Sequence, residues 1–208
     1  MGQLEHRGSG RVTAAPQSDG NPDGKGLNGF LLDWYRSNPR AVVAKPRRQV
    51  LAEFFTSMLV LSSAFGFRPA VGRPTYLYWV DDEWSLSLIA PEQWSDERRA
   101  GFAGTCRLQP DMTWTIEPSK RLAGHTAVSN AIARFYDSFA DLLDTELPLN
   151  EVLPFFSGKA PYYQRLYANA LSRSIRNSVA LGDQASSSCR QWRPLLHRRE
   201  ASLPALTG

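Results

Sequence analysis

The sequence predicts an α+β fold: a small four-stranded antiparallel meander packed against helices before and after it, with disordered N- and C-terminal tails. Three observations carry that reading. Apolar residues recur with a helical period on either side of a central stretch, about residues 75–117, in which the period falls to two. Residues suited to turns interrupt that stretch where strands would reverse. Both chain ends are poor in the apolar surface needed to offset the entropy of ordering a backbone. The resulting plan is a disordered arm over 1–26, a single α+β domain over 27–181 and a Ser/Arg-rich tail over 182–208.

Each element has a local reason. Residues 1–26 are glycine-rich and hold no aromatic side chain. Residues 27–37 carry Phe30, Leu31, Trp34 and Tyr35 and read as a short helix that stops before Pro39, since a residue preceding proline is pushed out of the helical region. After Pro46, suited to a first helical turn, Val50, Leu51, Phe54, Phe55, Met58 and Leu59 form an apolar stripe two residues wide, with Gly66 as the expected C-cap and Pro69 beyond it. The runs 75–80 (TYLYWV) and 84–90 (WSLSLIA), separated by Asp81, Asp82 and Glu83, read as a hairpin. The runs 104–109 (GTCRLQ) and 112–117 (MTWTIE), joined at Pro110 and Asp111, read as a second. In the second strand Leu86, Leu88 and Ala90 should share the covered face and Ser85 and Ser87 the wetter one. Helical periodicity returns through Ile132, Phe135, Tyr136, Phe139, Leu142 and Leu143, and again after Pro161 through Leu166, Tyr167, Ala170, Leu171, Ile175 and Val179.

Composition excludes several classes. The chain has 208 residues, 42% hydrophobic and 21% charged, a formal charge of +4 and two cysteines far apart in sequence. That is an ordinary globular composition with no disulfide framework, and it implies a reducing compartment. The most apolar stretch, around residues 54–67, is broken by Thr56, Ser57, Ser62 and Ser63 and is too short for a membrane span. The N-terminal stretch lacks an apolar signal core, and His6 stands where a myristoylation signal needs Ser or Thr. A cytoplasmic protein with no membrane partner is expected.

Catalytic and metal motifs are missing from the sequence. Ser157, Gly158 and Lys159 are followed by Ala160 and lack the upstream glycine of a phosphate loop, so a plain turn is expected there. His6, His125 and His197 are scattered and neither cysteine has a ligand partner at zinc spacing, so no metal and no cofactor are expected. Cys106 with His125 is the one nucleophile–base pair that can be proposed inside the folded region, and a mid-strand structural thiol is the simpler account. Asp137, Asp141 and Asp144 fall on one helix face; Arg165, Arg173 and Arg176 share a face of the next helix, and mutual neutralisation of the two helices is expected.

The order Tyr76-Leu77-Tyr78, then Ser87 to Pro91 with Trp94, then Phe102-Ala103-Gly104, then Leu108 to Trp114 (LQPDMTW) resembles the uncharacterised family called domain of unknown function 2452. The resemblance implies no activity, cofactor or site residue. It implies that the tyrosines, the Ala-Pro-x-x-Trp corner and the Gln-Pro-Asp turn act as one unit, a sheet whose strand ends are pinned by aromatic packing and turns.

The functional expectation is a small binding or adaptor module without a catalytic centre. Its contact residues would be Tyr76, Tyr78, Trp79, Trp94 and Trp114, aromatic types enriched at interfaces, with a protein as partner. The alternative is binding of RNA or DNA through basic segments, chiefly Arg190, Arg193, Arg198 and Arg199, near Trp192, Leu195 and Leu196, a short apolar cluster able to dock. A second alternative is an enzyme using the ridge Asp137, Asp141 and Asp144, or Cys106 with His125.

Overall fold

The computed structural model describes residues 22–122, 125–153 and 160–196. Two helices open the fold, α1 (Pro22–Arg36), broken at Gly26, and α2 (Arg47–Leu61). The strands follow as β1 (Pro74–Val80), β2 (Glu83–Ser87), β3 (Phe102–Leu108) and β4 (Trp114–Pro118), with a 3-10 turn at Pro91–Gln93 and the short helix α3 (Asp96–Ala100) between β2 and β3. Helices α4 (Thr126–Leu142), α5 (Tyr162–Leu181) and α6 (Cys189–Trp192) complete it.

The α+β class and the four antiparallel strands agree with the sequence reading, while the strand order is β2-β1-β3-β4. A meander would put β3 beside β2. That edge is already taken: Ala64 donates to Trp84 O at 2.8 Å and accepts from Leu86 N at 3.0 Å. The chain after β2 is carried past the end of β1, where Trp79 N donates to Gly101 O at 2.8 Å and starts β3 on the other side. At Gly104 a Cβ would stand 2.6 Å from Glu117 O, so the close approach of β3 and β4 demands glycine. The β1–β2 turn is Asp81-Asp82, both at positive φ (52° and 59°), the backbone of a two-residue hairpin turn that matches strand twist.

Alternation sorts the sheet into two faces. Leu77, Leu86, Cys106, Leu108, Trp114 and Ile116 point inward and are buried. Against them lies α2, which is buried far beyond the expected stripe: Val50, Leu51, Phe54, Phe55, Leu59 and Val60 join Glu53, Thr56 and Ser57. It packs on β4 and α5, and Phe54 and Phe55 meet Phe139 of α4 edge-on at 5.1 and 5.3 Å. Ser57 Oγ accepts from Trp114 N at 2.8 Å, which occupies a main-chain donor of β4 on the side away from β3.

Four boundaries move. Helix α2 ends at Leu61 with Ser62 as its cap, so Gly66 lies in the following loop and caps nothing. Strand β2 stops at Ser87, and Leu88, expected inside, is 61% exposed. Of the expected N-terminal arm, residues 22–26 begin α1, and 1–21 lie outside the described residues. Residues 182–196, read as tail, fold onto the domain: Cys189 and Trp192 are fully buried, and Tyr136 Oη donates to Leu196 O at 2.6 Å. Trp192 thus docks on its own chain, and residues 197–208 lie outside the described ones. Among the described residues no helix is long and apolar enough to cross a membrane.

Candidate functional site

The sheet's outer face carries Tyr76, Tyr78, Ser85, Ser87, Phe102, Thr105, Arg107, Thr115 and Glu117. Most of these stay half-exposed or exposed, so the helices cover one face and leave the other open. At one end of this face an aromatic cluster forms, because β1 and β3 place Tyr76, Tyr78 and Phe102 side by side: Tyr76 lies 6.2 Å and Tyr78 5.5 Å from the Phe102 ring. Trp94 meets Tyr78 edge-on at 6.5 Å, and the Arg98 guanidinium sits over Trp94 at 4.2 Å. Tyr78 Oη donates to Ile89 O at 2.9 Å, which holds the strand exit against the cluster. Burial pushes the Tyr78 hydroxyl up to about 12, so it remains a donor at neutral pH. Beside the cluster Leu88 and Ile89 are 61% and 40% exposed, and Glu92, Asp96 and Glu97 line the same excursion at the surface.

The five aromatics expected to form one contact surface are divided by the fold. Tyr76 and Trp94 are half-buried on the outer side, and Tyr78 is wholly buried beneath them. Trp79 faces inward, against Trp84 at 5.0 Å with Arg134 over its ring at 5.4 Å. Trp114 pairs with Leu108 on the core face and is 1% exposed, so it belongs to the core and not to a binding surface. Period-two alternation separates neighbours such as Tyr78 and Trp79, which composition alone had grouped. Phe102, Leu88, Ile89 and Arg98 were missed; the alternation of Phe102 with Gly104 was the signal available for the first.

A shallow groove of about 560 Å³ runs beside Trp79, lined by Asp81, Asp82, Glu97, Arg98 and His125. His125 Nδ1 accepts from Val128 N at 3.3 Å, so its place is the N-cap of α4. Cys106 is fully buried, and burial pushes its thiol far above the ordinary range, which denies it the thiolate that nucleophilic chemistry needs. Among the described residues no group of three or more His, Cys, Asp and Glu is arranged to hold a metal. Lys159, His6, His197, Arg198 and Arg199 lie outside the described residues.

Two members of the charged helix faces, Asp144 and Arg173, have partners outside the pairing expected. Asp144, just beyond α4, receives Arg190 at 3.2 Å and Arg193 at 3.4 Å, and Arg190 also reaches Glu146. Arg173 of α5 lies over Trp34 at 4.6 Å and donates to Asn38 Oδ1 at 2.9 Å, tying α5 to the N-terminal segment. Two of the four arginines named for polyanion contact are therefore already engaged by carboxylates.

A second feature is a cleft of about 310 Å³ where the strap after α1, the first turns of α2 and the β3–β4 turn converge. Lys45 Nζ lies 2.6 Å from Glu53 Oε2 and 2.5 Å from Asp111 Oδ2. Gln49 Nε2 donates to Glu53 Oε1 at 3.0 Å, and Thr113 N and Oγ1 donate to Asp111 Oδ1 at 3.1 and 2.7 Å. Burial alone would lower the Lys45 ammonium, but its bonds to Asp111 and Glu53 outweigh that and hold it above the usual lysine range. The strap is fixed by Arg40 N donating to Pro110 O at 2.9 Å. Asp111 was expected at the junction of two strands, and its distance of 66 positions from Lys45 hid the pair.

Fold and surfaces together define a small α+β domain with one covered and one open sheet face. Residues 42–137 match the model of a family described as a protein of unknown function (DUF2452). The resemblance seen in the strand motifs therefore holds, and it extends back over α2 and Lys45 and forward into α4. No curated protein and no solved structure matches the chain.

Proposed function

We propose that this is a cytoplasmic binding module that docks a protein partner on the open end of the sheet, without chemistry of its own. The observation that supports the reading is the exposure of Leu88 and Ile89 directly beside the Tyr76–Phe102–Tyr78–Trp94 cluster. Aromatic and aliphatic anchors backed by a rigid sheet, with Arg98 stacked at the edge, have the composition of an interface centre. Glu92, Asp96 and Glu97 around it favour a partner with a basic rim, because complementary charge speeds encounter and sets register. Two free, buried thiols suit a reducing compartment.

The test is site-specific photocrosslinking of the full chain in its own cells, with the photoreactive residue at Leu88 and, as a control, at Leu181, another exposed leucine on α5. A discrete protein adduct from position 88 that is absent from position 181, and that disappears when Ile89→Glu is added, is expected. Equal labelling from both positions, or adducts indifferent to Ile89→Glu, would overturn the assignment.

A further inference from the structure

The Lys45 cleft has an excess of negative charge at its floor and, at its rim, a cation that pairs with no carboxylate among the described residues. At its floor one ammonium serves two carboxylates, so Glu53 and Asp111, with side chains 5% and 10% exposed, carry one unit of negative charge in excess. Leaving an ion buried and uncompensated is costly. At the rim Arg40 is exposed; its guanidinium lies 5.7 Å from the centre of the Tyr35 ring and joins none of the ion pairs among the described residues. Gln49, Gln109 and Thr115 line the walls between. Gln49 and Gln109 use their amide nitrogens on Glu53 and Thr115, which leaves the amide oxygens as acceptors.

We propose that this cleft binds a free α-amino acid, its ammonium placed against Glu53 and Asp111 and its carboxylate on the Arg40 guanidinium. The volume of about 310 Å³ suits a ligand of that size. Guanidinium and carboxylate match as a two-pronged pair, and the amide oxygens of Gln49 and Gln109 complete the ammonium's hydrogen bonds. Other ligands fit the charges less well. A metal ion would find only the two carboxylates, already bridged by the Lys45 ammonium, and among the described residues no third His, Cys, Asp or Glu joins them. A simple anion would meet the negative floor, and a simple amine would leave Arg40 unmatched. This site is independent of the docking surface above.

The experiment is ligand-observed NMR on the full chain with the proteinogenic amino acids one at a time, and with methylamine and acetate as half-ligands. At least one amino acid should bind, with both half-ligands at least about tenfold weaker, the scale of one charge-assisted contact. Arg40→Ala should weaken the amino acid by about tenfold or more. That variant keeps the main-chain bond to Pro110, and a thermal melt checks that it folds. Binding by none of the amino acids, equal binding of acetate or methylamine, or indifference to Arg40→Ala would each overturn the proposal.

Discussion

Two ionic clusters tie distant segments of this chain together, and they differ in burial. Lys45, Glu53 and Asp111 expose between 5% and 11% of their side chains and join the strap, α2 and the β3–β4 turn. Arg190 and Arg193 meet Asp144 and Glu146 with side chains between 43% and 69% exposed. The charges are of the same kinds; what differs is the surrounding medium. Water screens the outer cluster, whose pairs add little, so the C-terminal strap is held mainly by Trp192, which is fully buried with Arg47 over its ring at 5.6 Å. The inner cluster cannot lose Lys45 without stranding two buried carboxylates.

The largest expected effect breaks the inner cluster. Lys45→Met should cost about 3–5 kcal/mol, read as a lowered urea midpoint, because two buried carboxylates lose their shared cation. Replacing Lys45, Glu53 and Asp111 together by apolar residues should cost less than Lys45→Met alone, a result that an exposed pair would never give. Trp192→Ala should cost about 3–5 kcal/mol by the same measurement, as expected for a fully buried indole.

The clusters also separate by pH and salt. The Lys45 ammonium titrates above 10.5 in the folded chain, so its stabilising contribution is fully present below 10.5 and is lost as pH rises through the raised folded value. Denaturation curves taken across the alkaline range should show stability falling there, and Lys45→Met should remove that fall. At the small end, Arg190→Ala should cost no more than about 1 kcal/mol, and that cost should shrink in high salt, where exposed pairs are screened. A large, salt-independent loss for Arg190→Ala would erase the distinction between the clusters.

Much of the scaffold was legible because it rests on local rules. Period-two alternation located all four strands within a few residues, and Pro46 and Pro161 marked the starts of α2 and α5. The candidate surface was half legible. Tyr76 and Trp94 lie where an aromatic contact surface was expected, whereas Trp114 went to the core because its register partner Leu108 faces inward. Leu88 went the other way: the hydrogen bond of Tyr78 to Ile89 O and the turn at Pro91 end the strand before alternation can carry Leu88 inside.

What the sequence by itself determined is the class of fold, the alternation of the strands and the family motifs, all of which depend on residues a few positions apart. Only the tertiary structure decided the strand order, the integration of residues 182–196 and the meeting of Lys45 with Asp111. Those outcomes depend on the β2 edge that Ala64 occupies, on the apolar site that buries Trp192 and on a bond across 66 positions. Local periodicity holds no information about such separations, because closing a long loop is favoured or refused by the contacts waiting at its far end.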